Sequence, residues 1–317
     1  MFSLDYRPDL ASRACLGSEC DTLIKEGYMP PTGPYSLFDV LRGALRKVMD
    51  PLEGVRVGLM LNHDHLQNCE GPGAAVGCSN GGYIAMGYEL FDAKDSNGAK
   101  ARFHSILDNI PLPLGGQSHS YQGKELYYEL FRYLTGQEIY NGHNGWIDYF
   151  TDASANLDKD GVGALGGSYA WDAGIERGHN YLTPFDSGTA CVNTYAVNMM
   201  FFVANQGDDS DDAIEDLVSN QGLGSRQRTF TDMIRYMNDA DIANGTYGNA
   251  PSIDGTQNLT SYFIVPPAQI NRTTLGYAQA GGTGVPLALS DDPDELVRTL
   301  QEVFNQILSV STTFVAA

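Results

Sequence analysis

Ala196-Val197-Asn198-Met199-Met200-Phe201-Phe202-Val203-Ala204, closed by Asn205-Gln206-Gly207 and the acidic Asp208-Asp209-Ser210-Asp211-Asp212, is the stretch that decides the fold. It is apolar but for Asn198 and does not alternate, which is the pattern of a strand buried on both faces. Strands of that kind form the middle of parallel sheets covered by helices. In such open sheets a ligand binds just beyond the carboxyl ends of the strands, so Asn205 marks where function is expected. An acid at that position can hold a metal, whereas an amide holds one poorly.

The chain on either side supplies the partners this strand needs. Met1 to Asp5 reads as a first strand. Ser36 starts a helix with Asp39 three residues on, a capping-box variant, and Phe38, Leu41, Leu45 and Val48 follow at helical spacing until Pro51. Val55 to Leu61 is a second buried strand, and Tyr83 to Leu90 a hairpin-like one. Helices are expected over Ala99 to Ile110 and Gly123 to Thr135, the latter with Leu126, Tyr127, Leu130, Phe131 and Leu134 on one side.

After the central strand come helices near Asp211 to Asn220 and Phe230 to Asp239. Strands follow at Ser261 to Val265, stopped by Pro266-Pro267, and at Val285 to Leu289. Asp292-Pro293-Asp294-Glu295 opens a final helix, with Asp as cap and Pro at the first helical position. Strands alternating with helices predict one doubly wound α/β domain, its sheet mostly parallel with one hairpin. Residues from about 137 to 195 have no long periodic pattern and are rich in Gly, Asn, Asp and aromatics. They read as a large loop-rich insertion, the place for lineage-specific recognition.

Asp plus Glu number 39 against 19 Lys plus Arg, a net charge of −20. That excludes nucleic acid or an anionic membrane as the partner, since both need a basic face. No run reaches the roughly 18 apolar residues of a membrane span. No positively charged, apolar secretion signal opens the chain. Because Met1 to Asp5 resembles the middle of a strand, the chain is expected to be an excised piece. Cys15 and Cys20 lie close together, and Cys69 and Cys78 bracket a Gly-rich loop, as in an exported protein with two short disulfides. These four cysteines allow three pairings, and Cys191 is left over. Neither pair has the Cys-x-x-Cys spacing of a zinc site.

The order strand, helix, strand, hairpin strand, helices and three further strand-helix steps resembles the von Willebrand factor A domain. Two groups of segments make the resemblance more specific. One is Val57-Gly58-Leu59-Met60-Leu61-Asn62-His63-Asp64-His65 with Asn68-Cys69 and Cys78-Ser79-Asn80-Gly81-Gly82-Tyr83. The other is Ser118-His119-Ser120-Tyr121-Gln122-Gly123-Lys124-Glu125-Leu126 with Phe131-Arg132-Tyr133-Leu134-Thr135-Gly136. Both look like the amino-terminal domain of PilY-type proteins, the type IV pilus tip adhesins and assembly factors of bacteria. The ending Phe314-Val315-Ala316-Ala317 resembles the join to that family's carboxy-terminal β-propeller. The resemblance implies a chain that continues past both ends, export through the periplasm, and display at the pilus tip on the bacterial surface. It also implies contact with minor pilins and with a host or abiotic surface.

In von Willebrand A domains a divalent ion sits above the sheet, held by Asp-x-Ser-x-Ser after the first strand, a Thr from a second loop and an Asp after the central strand. Laid on this sequence, the first motif falls on Asp5-Tyr6-Arg7-Pro8-Asp9. The second falls on Gln117, with Ser118 beside it, and the third on Asn205. Arg7 cannot ligate a cation, and its charge opposes one nearby. The expectation is a degenerate, vacant site in which Arg7 pairs with Asp5. The competing arrangement is a weak ion gathered by Asp5, Asp9 and Ser118 with Arg7 turned outward.

Other signals are weaker. Asn156-Leu157-Asp158-Lys159-Asp160-Gly161 resembles the start of a Ca²⁺-binding EF-hand loop, but Gly167 stands where its bidentate Glu belongs, and a solvated turn is the preferred reading. Asp208 and Asp209, with Asp211 and Asp212, are either a Ca²⁺ cluster or, as preferred, the acidic start of a helix. His63 and His65 lack an identifiable third ligand. Ser118-His119-Ser120 has no nucleophile elbow and precedes a helix, and Gly115-Gly116 lacks the rest of a phosphate loop. Asn244, Asn258 and Asn271 begin Asn-x-Thr triplets, open to glycosylation only in a eukaryotic secreted protein. Tyr140, Trp146, Tyr149, Phe150, Tyr169, Trp171 and Tyr181 are either satellite-core residues of the insertion or, where exposed, anchors for a ligand. No nucleophile and base stand in the recognisable spacing of an enzyme, and the resemblance implies non-enzymatic adhesion and support of pilus assembly. The alternative is an ion-dependent binding domain of another secreted or surface protein.

Overall fold

Val57, Leu59 and Leu61 pack into one core and Met60 into another across the sheet, which is why the strand Val55–Asn62 carries no polar alternation. This strand is β4 of the computed structural model, which describes residues 1–4, 13–15, 18–62, 82–110, 122–140, 142, 172–189, 192–200, 230–246 and 252–312. Its sheet also holds β1 (Phe2–Leu4), β5 (Gly82–Phe91), β8 (Thr194–Met199), β9 (Leu259–Val265) and β10 (Leu287–Ala288), in the spatial order β10-β9-β8-β1-β4-β5. Neighbours from β10 to β4 run parallel, and β5 at the edge is antiparallel. The register sets Leu4 opposite both Leu61 and Met199. Two small antiparallel ribbons lie apart from the sheet: β2 (Arg13–Ala14) with β3 (Tyr35–Ser36), and β6 (Glu176–Arg177) with β7 (Asn180–Tyr181).

Helices cover both faces. α2 (Leu37–Met49), α3 (Ala99–Asn109) and α7 (Pro293–Thr312) bury Phe38, Leu41, Phe103, Leu300 and Val303 in one core. α4 (Gln122–Leu134), α5 (Phe230–Asp239) and α6 (Arg272–Ala280) bury Leu130, Phe131, Met233, Ile234 and Tyr277 in the other. The fold is therefore mixed α/β, a parallel sheet flanked by helices, as the sequence predicts.

The helix starts are written locally. The Ser36 hydroxyl accepts from the Asp39 N–H at 3.1 Å while the Asp39 carboxylate accepts from the Ser36 N–H at 2.8 Å. Asp292 accepts from the Glu295 N–H at 2.9 Å at the head of α7. A short α1 (Asp21–Lys25) lies between β2 and β3, where the sequence reading places no element. α6 was not expected either, because Thr273, Thr274 and Gly276 weaken its propensity. It forms on the Asn271 cap, which accepts from the N–H groups of Thr273 at 2.8 Å and Thr274 at 3.3 Å, and on the burial of Thr274, Tyr277, Ala278 and Ala280.

Strand boundaries differ from the sequence reading, by one residue at the ends of β1, β4 and β5 and by more elsewhere. β8 begins at Thr194 and ends at Met199; Phe201 to Ala204, and the helix expected at 211–220, lie outside the described residues. β9 begins two residues early, at the fully buried Leu259. β10 is shorter than Val285 to Leu289, because Pro286 has no N–H to give a ladder, and Val285 stands 61% exposed.

Candidate functional site

The parallel strands β4, β1 and β8 are adjacent, so Asn62, Leu4 and Met199 end at one edge of the sheet. The chain proceeds from β1 to β4 and β5 on one side, and through β8, β9 and β10 on the other, which makes the gap between β1 and β8 the topological switch point. Asp5 is the next residue after β1, and Asn205 is the sixth after Met199. Both lie outside the described residues, with Arg7, Asp9, Gln117 and Ser118. So do Asn156, Asp158, Asp160, Asp208, Asp209, His63, His65, Cys69, Cys78 and Cys191. Among the described residues no three His, Cys, Asp or Glu side chains gather as a metal site.

The described legs of the insertion form a second, closely built site against β5 and α4. The departing leg runs along the returning one: Ile139 N–H donates to the His179 carbonyl at 2.9 Å, Tyr181 N–H to the Gln137 carbonyl at 2.9 Å, and Glu138 and Asn180 form an antiparallel bridge. Both legs meet Glu129 of α4, which is 0% exposed. Its Oε1 accepts from the Tyr181 hydroxyl at 2.5 Å and from the Tyr140 N–H at 3.1 Å. Gly142 packs so close that a Cβ there would lie 2.3 Å from the Tyr181 hydroxyl and 3.0 Å from that Oε1. Burial, then the Glu129 charge, pushes the Tyr181 hydroxyl well above its ordinary pKa. Thr183 donates to the Leu134 carbonyl at 2.6 Å, and the rings of Tyr133 and Tyr181 meet edge to face at 5.7 Å.

A second buried carboxylate, Asp172, fixes the returning leg to the edge strand. Its N–H donates to the Ile84 carbonyl at 2.7 Å, its Oδ2 accepts from the Gly87 N–H at 2.9 Å, and its Oδ1 pairs with Arg102 of α3 at 2.9 Å. Tyr133 completes the cover, its hydroxyl accepting from the Tyr88 N–H at 3.1 Å. Backbone groups of β5 that would face solvent are thus used.

Of the insertion aromatics expected as ligand anchors, Tyr181 is 2% exposed and fully engaged, so it belongs to the core alternative and not to a contact surface. Tyr140 is half-buried against Tyr128 and Arg132. Trp146, Tyr149, Tyr169 and Trp171 lie outside the described residues. Cys15 and Cys20 are disulfide-bonded, with Cα atoms 5.5 Å apart. Asn271 caps α6 through its side chain, and Asn258 donates to the Asn238 carbonyl at 2.6 Å.

At the opposite, amino end of the sheet an apolar cavity of about 360 Å³ is lined by Met1, Phe2, Tyr88, Tyr195, Phe304 and Ile307 among others. The Met1 N–H in its wall donates to the Tyr195 carbonyl at 2.6 Å and the Tyr88 hydroxyl at 2.9 Å. Among the described residues that line it, apolar side chains predominate and no paired acid and base is found. No described helix is long and apolar enough to cross a membrane.

The residues that sequence reasoning missed are Glu129, Asp172 and Gly142. Glu129 had a signal: in Leu126-Tyr127-Tyr128-Glu129-Leu130-Phe131-Arg132-Tyr133-Leu134 it is the one acid in an apolar stretch. Comparison with protein families, with characterised proteins and with solved structures finds no match.

Proposed function

We propose that the chain is an extracellular, non-enzymatic domain of von Willebrand factor A type from a PilY-like protein. It is displayed at the tip of a type IV pilus, where it mediates adhesion and supports pilus assembly through minor pilins. The observation that carries this reading is the strand order. The succession strand, helix, strand, hairpin strand, helices and three further strands underlies the resemblance, and its hairpin strand is the antiparallel edge strand β5. The switch point between β1 and β8 is where such a domain carries its ion, and here the chain offers Asp5, Arg7, Asp9 and Asn205. An arginine and an amide in those positions favour a scaffold that has given up the ion and recognises its partner through the insertion. The covalent Cys15–Cys20 staple suits export to an oxidising compartment.

The test is to display on pili a version lacking residues 143–171 while keeping both legs. Pili should assemble in normal number and adhere less to the surfaces the parent colonises. Undiminished adhesion overturns the role given to the insertion, and loss of all adhesion together with all pili overturns the separation of adhesion from assembly.

A further inference from the structure

Glu129 stands where an apolar residue would serve the helix better. Leu126 and Tyr133, three residues before it and four after it on the same face of α4, are both buried in the core, and a fully buried carboxylate is expensive to desolvate. Replacing such a group with a well-packed apolar one is often neutral or stabilising, so its retention calls for a role in specifying one arrangement. The arrangement it touches is the root of the insertion. A single oxygen, Oε1, receives a donor from the departing leg, the Tyr140 N–H, and one from the returning leg, the Tyr181 hydroxyl. Gly142 lies against the Tyr181 hydroxyl and the Glu129 carboxylate with no room for a Cβ.

We propose that Glu129 is a positioning residue, a latch whose carboxylate holds the two described legs of the insertion, at Tyr140 and Tyr181, in one register against α4. The consequence for recognition rests on the reading of the insertion as the contact surface; the latch itself rests on the geometry of the legs alone. Arg132 reinforces it from the same helix, donating to the Glu138 carbonyl and lying over the Tyr140 ring at 5.8 Å. Asp172 holds the returning leg to β5 independently, and backbone bonds still join the legs to each other, so opening the latch loosens the legs from α4 without detaching the return.

Glu129→Leu, Tyr181→Phe and Glu129→Gln separate a latch from a packing role. Leucine fills the space and accepts nothing. Phenylalanine removes one donor. Glutamine keeps an acceptor oxygen. Amide hydrogen exchange at Tyr140, Ile139 and Tyr181 reports the legs, and exchange along β4 and β9 reports the sheet. Glu129→Leu should speed leg exchange by about tenfold or more, the ratio set by losing the two hydrogen bonds that Oε1 accepts, with the sheet unchanged. Tyr181→Phe should act in the same direction, and Glu129→Gln should remain near the parent. Adhesion of pili carrying Glu129→Leu should fall although pilus number does not.

Leg exchange that is unchanged in both Glu129→Leu and Tyr181→Phe, or that rises only together with sheet exchange, overturns the latch. Legs that open while adhesion stays at the parent level, in a protein whose adhesion is abolished by deleting 143–171, overturn the positioning role. If that deletion leaves adhesion intact, the contact-surface reading fails, and leg exchange still decides the latch.

Discussion

Asp172→Ala is the substitution whose effect can be worked most fully from the structure. Asp172 is 7% exposed, and its carboxylate accepts from the buried Gly87 N–H at 2.9 Å and from the Gly174 N–H at 3.0 Å while pairing with Arg102. Removing it strands the Gly87 N–H in the interior of the edge, a loss of about 1–3 kcal/mol. Gly174 is exposed and regains water. Arg102 has a side chain 41% exposed and keeps Glu89 as a partner, so its share is about 0–1 kcal/mol. The sum is about 1–4 kcal/mol. Asp172→Asn keeps an acceptor for Gly87 and loses only charge, which places it near 1 kcal/mol.

Urea unfolding followed by far-ultraviolet circular dichroism reads this directly. With a slope on the order of 3 kcal/mol/M, Asp172→Ala should lower the midpoint by about 1 M at unchanged slope, and Asp172→Asn by about a third of that. The Ala variant should also associate at high concentration, seen by light scattering, because unfilled groups on β5 are a template for another strand. A midpoint for Asp172→Ala within about 0.2 M of the parent, or an Asn variant as weak as the Ala one, refutes the assignment of edge closure to the carboxylate. The bond from the Asp172 N–H to Ile84 would then suffice alone.

Metal-stripped protein titrated calorimetrically with Mg²⁺ should give no tight binding, and tight binding abolished by Asp5→Ala would overturn the vacant-site proposal. At alkaline pH the buried tyrosines should drive unfolding. Burial raises Tyr277 to about 12, and Tyr88, Tyr127, Tyr133 and Tyr181 above the ordinary phenol value. A raised folded-state pKa contributes stability that is present below about pH 10 and lost as pH rises through the folded value, so Tyr277 alone removes on the order of 3 kcal/mol by pH 12. Phenolate absorbance should appear in one cooperative step with loss of ellipticity, and titration of these rings before unfolding would contradict their burial. Ser36→Ala should lower stability by about 1 kcal/mol in the same urea assay, through loss of the α2 capping box, and a change below about 0.3 kcal/mol would deny the cap that role.

The sheet was legible because its information is local. Val55 to Leu61, but for Arg56, and Ala196 to Met199, but for Asn198, carry apolar runs, and the caps at Ser36 and Asp292 announce their helices. Boundaries slipped where a backbone detail decides: Pro286 shortens β10, and the Asn271 cap with tertiary burial makes a helix of α6 against its own propensity. The root of the insertion was illegible for a different reason. Tyr140, Tyr181 and Asp172 are separated from Glu129 and Gly87 by 11 to 85 residues. Only the folded chain brings those partners together, and no periodicity encodes them. Glu129 was visible as an anomaly on an apolar helix face, though without an identifiable partner.

That anomaly ties the two halves of the functional reading together. A chain locally consistent with its fold breaks its own rules where something other than stability is selected. Here Glu129 and Asp172 lie at one place, the junction of the insertion with α4 and β5. β5 pairs with β4 from Val55 to Asn62, the strand whose carboxyl end borders the switch point. The insertion is thereby joined to the sheet through hydrogen bonds of fixed geometry, where apolar contacts would tolerate sliding. A domain that transmits a pull from a surface contact into its sheet needs a junction of that kind. A loop that merely decorated the sheet edge would gain nothing from two buried charges.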